Sequence, residues 1–211
     1  MLTLYTAPGS CSRASHIALE ESGLPCEVRL VDFARGDQQQ PAFLALNPKG
    51  RVPALATDQG ILTESPAILA YIAALAPSGQ LAPVDPFAFA RMQAFNLYLA
   101  STVHVAHAHG RRASRWSDDA AAQASMAAKV TQNMRDCFVL IEADLAQNGG
   151  GDWVMGDAYS VADPYLFTFS GWLEGDGVDI AEFPRVQAHY DRMASRPAVV
   201  RALQAEAALS V

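Results

Sequence analysis

The chain reads as an α/β domain of order βαβαββα followed by an all-helical domain, and three observations predict this. Short strand-forming runs alternate with helical stretches over the first 77 residues. Residues 75–86 (LAPSGQLAPVDP) hold three prolines and a glycine without periodicity, as a connector does. Beyond position 87 the apolar spacing is helical almost throughout. We therefore expect one domain over 1–77, a linker over 78–86 and a helical domain over 87–211.

Each element follows from its residues. LTLYT (2–6) is rich in strand formers and stops at Ala7-Pro8-Gly9, a turn. A helix follows, capped by Ser10 or Ser12, and closes at Gly23 ahead of Pro25. CEVRLVD (26–32) alternates in polarity as a second strand, which completes a parallel βαβ unit. Residues 38–46 predict a short helix ending in the turn cluster Asn47-Pro48-Lys49-Gly50. Residues 51–57 and 61–63 predict strands about Asp58-Gln59-Gly60, with Pro53 at an edge or in a special turn because it donates no N–H. Residues 65–76 predict a helix with Pro66 in its tolerant first turn. In the second domain helices are expected over 87–110, 118–147, 161–172, 184–195 and 198–208, with a loop at Asn148-Gly149-Gly150-Gly151. No solenoid-type repeat is visible.

Composition narrows the function. Net charge is -7 with no block of like charges, so the acidity is spread over a solvated surface, and nucleic acid, which needs a basic face, is not an expected partner. The start MLTLYTAPGS lacks a basic segment before a long apolar run, and no stretch reaches the ~18–20 apolar residues of a membrane span, so no membrane partner and a cytoplasmic location are expected. Cys11, Cys26 and Cys137 are far apart and odd in number, without CxxC or Cys/His spacing, which predicts reduced thiols and no structural zinc.

Three stretches in order carry a family resemblance. These are Tyr5 to Ser12 (YTAPGSCS) with His16-Ile17-Ala18-Leu19-Glu20-Glu21, Asn47 to Leu55 (NPKGRVPAL) followed by Leu62-Thr63-Glu64-Ser65-Pro66-Ala67-Ile68, and Ser160-Val161-Ala162-Asp163. With the element order, the chain resembles the cytosolic glutathione transferases, in particular the bacterial beta class. The resemblance implies a thioredoxin-like first domain that binds glutathione as co-substrate, a helical domain that takes a small apolar electrophile, and a homodimer. It implies that Pro53 is cis, so that the Val52 backbone pairs with the cysteinyl part of the tripeptide, and that Glu64 and Ser65 hold its γ-glutamyl end at a helix N-terminus. Ser65 is equally placed to be a plain N-cap.

For the chemistry, Cys11 falls in the first turn of a helix, where free N–H groups and the helix dipole favour a thiolate; a small buried hydrophobe is the alternative. By resemblance its sulfur lies against that of glutathione. By resemblance to other classes of the family, Ser10 or Ser12 is placed to donate to the glutathione thiolate; helix capping is the alternative. His104 and His107 share a helix face at i, i+3. By resemblance His104 is the better match to a histidine aimed at the glutathione sulfur, protonated or donating, with His107 second; packed histidines are the alternative, and metal fits poorly. Arg111, Arg112, Arg115 and Trp116 line the mouth of a cleft or form a solvated helix end. By resemblance Arg35, after the second strand, is placed to reach the glycyl carboxylate. Ser160 to Asp163 reads as a structural capping box, and His16 and His189 as structural residues. The function expected is glutathione conjugation, against glutathione-dependent thiol-disulfide or peroxide reduction through Cys11, or a non-catalytic glutathione-binding or interaction protein.

Overall fold

The computed structural model describes residues 1–77, 81–147 and 149–209. Strand β1 (Leu2–Thr6), helix α1 (Ser12–Ser22), strand β2 (Cys26–Leu30), helix α2 (Pro41–Leu46), strands β3 (Ala54–Thr57) and β4 (Gly60–Thr63) and helix α3 (Ser65–Leu75) form the first domain. The sheet order is β2-β1-β3-β4. β1 runs parallel to β2 with Leu4 opposite Val28, and β3 runs antiparallel to β1 and β4 with Leu55 opposite Leu4 and Leu62. The period-2 alternation of side chains separates the two faces. Leu4 and Leu55 point under α1 and α3, into one core with Ala14, Ala18, Ile68, Leu69 and Ile72. Tyr5 turns the other way and meets Phe43 of α2 edge-on at 6.0 Å.

Two strand boundaries differ from the sequence reading. β2 stops at Leu30 because the Asp32 carboxylate accepts the N–H groups of Ala34 and Arg35, folding the chain into a turn. β3 begins at Ala54, after a cis Val52–Pro53 peptide. Pro53 thus lies outside the ladder, ahead of an interior strand, and not at an edge.

The second domain contains α4 (Pro86–Tyr98), α5 (His104–Arg111), α6 (Ala120–Ala128), α7 (Val130–Gln147), α8 (Ala162–Ser170), α9 (Pro184–Ala194) and α10 (Pro197–Leu209). The helix expected over 87–110 is divided by a π-helical turn at Leu99–Val103, and that over 118–147 breaks at Lys129. Asp85 and Asp119 cap α4 and α6, accepting from Ala88 N and Ala121 N at 2.8 Å each. Positions 78–80 of the expected linker and Asn148 of the expected loop lie outside the described residues.

All nine residues of α8 are buried. Its entry corrects the expected capping pattern: the Asp163 N–H bonds the Ser160 carbonyl, and the Ser160 hydroxyl accepts from Ala162 N instead. Asp163 does reach back to Ser160 N at 2.7 Å. It also accepts from Val154 N at 2.8 Å and meets His189 Nε2 at 3.0 Å. His189 is therefore structural, as expected. α1 lies between the domains, packed on α3 at one side and on α8 and α10 at the other. Arg13, Glu20 and Glu21 of α1 pair with Glu206, Arg201 and Arg196. Among the described residues no helix is long and apolar enough to cross a membrane.

Candidate active site

The turn from β1 into α1 forms one wall of a cleft between the domains, and the helical domain holds it in place. Gly9, at φ +69°, gives its N–H to Glu206 at 3.2 Å, and its carbonyl accepts from Trp172 Nε1 at 3.0 Å. Ser12 is fully buried, sharing hydrogen bonds with the Thr6 hydroxyl at 2.7 Å and Ala7 N at 3.1 Å. It belongs to the turn and faces away from the cleft. Ser10 lines the cleft, but its hydroxyl is engaged with the Ala7 carbonyl at 2.7 Å and Ser12 at 2.6 Å.

Cys11 stands at the head of α1 with its sulfur 3.5 Å from the Val52 carbonyl, to which it donates. Burial pushes its thiol up to about 11, and the nearby Ser65 hydroxyl and Arg112 charge offset this only in part. Burial, which disfavours the anion, thus runs against the lowering expected for a thiol at a helix N-terminus. Ser65 is buried at the start of α3, while Glu64 before it is exposed at φ +71° and ion-paired with Lys49 at 2.6 Å.

The opposite wall comes from α5. His104 lies against Phe169 and Trp172 with ring centroids 5.6 and 5.3 Å away. Burial, followed by the positive fields of His107, Arg112, Arg115 and Arg51, lowers its pKa to about 4. His104 is therefore neutral near pH 7, which corrects the protonated option and leaves the hydrogen-bonding one. His107 meets Asp176 at 2.7 Å through Nδ1 and stacks on Trp172 at 4.3 Å. Asp176, His107, Trp172 and Gly9 thus form a chain of contacts from the helical domain to the Cys11 turn.

The cleft has a volume of about 590 Å³ and brings together Ser10, Cys11, Val52, His104 and His107. Arg111, Arg112 and Arg115 line it, so they are cleft residues, whereas Trp116 is not among its lining groups and packs on His109. Arg35 is exposed beyond the Asp32 turn and outside the cleft lining. Phe33, Gln38, Gln39, Arg51 and Trp172, which also line it, escaped the sequence reading. Arg51 had a signal, being adjacent to Val52, but the others arrive from loops and helix ends whose placement has no local motif. Among the described residues no group of three or more His, Cys, Asp or Glu could hold a metal ion.

Residues 1–74 match the model of the glutathione S-transferase N-terminal domain, and residues 107–206 that of the C-terminal domain. The chain is 36% identical over 209 residues to glutathione S-transferase GST-4.5 of Xanthomonas campestris, covering 97% of this chain and 98% of that protein. A glutathione transferase homologue from Sulfitobacter, solved with bound glutathione, superposes with a TM-score of 0.93 at 46% identity, covering 97% of this chain and 98% of that one. A beta-class glutathione S-transferase of Sphingomonas chungbukensis gives 0.82 at 34% identity, with coverages of 97% and 98%.

Proposed function

The chain belongs to the glutathione S-transferase family, and from that premise we propose that the interdomain cleft holds glutathione with its sulfur between Cys11 and His104 and delivers it as a thiolate to a small electrophile. Glutathione is the co-substrate of this enzyme. The observation that carries the assignment of residues is the convergence of Cys11, the Val52 backbone and His104, from three separate segments, on one cleft.

In this reading the Val52 N–H and C=O pair with the cysteinyl residue as a neighbouring strand would. Ser65, at the N-terminus of α3, receives the γ-glutamyl carboxylate, and Glu64 receives the ammonium. The glycyl carboxylate lies toward Arg51, which lines the cleft. A neutral His104 donates one N–H to the sulfur, and the cleft's positive charge stabilises the anion once the proton has left to solvent. The sulfur lone pair then forms a carbon–sulfur bond while the electrophile's leaving group, or its π electrons, takes the displaced pair. A small electrophile with an apolar body fits beside Phe33 and Trp172. Cys11, held as a thiol by burial, positions the sulfur from behind and is not the attacking group.

The exposed apolar residues Leu97 of α4 and Val139 and Leu140 of α7 support a homodimer through these helices. A cytoplasmic location agrees with reduced cysteines. Calorimetric titration tests the site: one glutathione per chain is expected, with affinity reduced about tenfold or more in Ser65→Ala. Conjugation is expected to survive in Cys11→Ala and to fall about 10- to 100-fold in His104→Ala. An active His104→Ala beside a dead Cys11→Ala would replace this reading with thiol exchange through Cys11.

A further inference from the structure

The cleft is charged in a way that glutathione alone does not use. Arg51, Arg111, Arg112 and Arg115 all line it, in a protein of net charge -7. None of the four has an ion-pair partner among the described residues, although Arg13, Arg29, Arg135, Arg192, Arg196 and Arg201 each hold a carboxylate. Asp176, which reaches the cleft wall, is committed to His107. Arg51 brings its charge from the first domain to the three of the second, and burial, followed by the fields of Arg112 and Arg51, holds Arg115 below its ordinary value.

Glutathione brings two carboxylates and one ammonium. Its glutamyl end is assigned to Ser65 and Glu64, so its glycyl carboxylate and its thiolate together offset two guanidinium charges and leave two unmatched. Clustered unpaired arginines repel one another, and an incoming anion removes that cost. The Arg112 guanidinium also lies 5.5 Å over the Phe33 ring, which puts an apolar surface beside the charge.

We infer that the second substrate is an acidic electrophile, a small unsaturated or aromatic molecule bearing a carboxylate, whose acid group is bound by Arg112 and Arg115 while its body lies against Phe33. This rests on the transferase reading and narrows it. For an aryl chloride the step is substitution: the glutathione sulfur bonds the ring carbon, the carbon–chlorine bond breaks, chloride leaves with the bonding pair, and the thiol proton goes to solvent.

The test uses a matched pair, 4-chloro-3-nitrobenzoate and its methyl ester, with each kcat/KM divided by that compound's uncatalysed rate with glutathione. The acid is expected to be favoured about tenfold or more, with the preference shrinking as salt rises and falling toward unity in Arg115→Gln. An ester turned over as well as the acid overturns the inference and leaves the transferase standing. If neither compound reacts, calorimetry with 3-nitrobenzoate on the protein carrying S-methylglutathione decides the anion site. Saturable binding weakened in Arg115→Gln supports it, and no binding, or equal binding of methyl 3-nitrobenzoate, overturns it.

Discussion

Glu64 is the one described non-glycine residue held at positive φ, at +71°, a conformation that costs ~1–3 kcal/mol. Its exposed ion pair with Lys49 returns little of that. Glu64→Gly is therefore expected to keep or raise the melting temperature, by up to ~2–4 °C, while weakening glutathione binding about tenfold, as thermal unfolding and calorimetry would read. A variant both less stable and fully competent to bind would refute the idea that the strain serves the ligand. His104 gives a second prediction. Its folded value near 4 lies below the ordinary 6.5, so between those values the unfolded chain binds a proton that the folded chain refuses. Stability then rises with pH across this window and falls as pH drops through it. Urea unfolding should show a flatter slope in His104→Gln, with the buried His16, shifted the same way, supplying part of what remains. Cys11, Val52, His104 and His107 were legible because each sits in a recognisable local pattern. The protonation of His104 and the state of the Cys11 thiol were not, because both are set by desolvation and by charges from other segments.

At the scale of elements, two capping carboxylates separate local from tertiary stabilisation. Asp85 caps α4 at the surface with one hydrogen bond, and Asp85→Ala should cost ~1 kcal/mol. Asp163, fully buried, serves Ser160, Val154 and His189 together, so Asp163→Ala leaves several buried donors unpaired and should cost ~3–5 kcal/mol. Denaturant unfolding of the two variants checks the contrast; equal losses would mean that Asp163 is only a cap. The strand and helix order was readable from periodicity, and so were Gly23 and the start of α8. The π-helical turn at Leu99–Val103 was not, since LASTV carries no breaker. Neither was the break at Lys129, which interrupts an Ala-rich stretch of continuous helical composition.

At the scale of the whole molecule, α1 ties the domains into one unit. Glu206 of α10 is buried and holds both Arg13 and the Gly9 N–H, so Glu206→Ala strands a guanidinium and frees the turn that carries Cys11. We expect a loss of ~3 kcal/mol, a single transition shared by near- and far-ultraviolet circular dichroism, and a lower glutathione affinity. Two separated transitions would show that the domains are independent.

The sequence by itself determined the order of elements and the family, and it put Cys11, Val52 and Ser65 at element boundaries, because these depend on backbone propensity and short spacing. Only the tertiary structure decided that Arg35 stays outside the cleft lining, that Trp172 and Asp176 brace its wall, and that four arginines without an ion-pair partner among the described residues gather in it. Those features depend on burial and on the summed field of charges distant in sequence, and neither quantity exists until the chain has closed around the site.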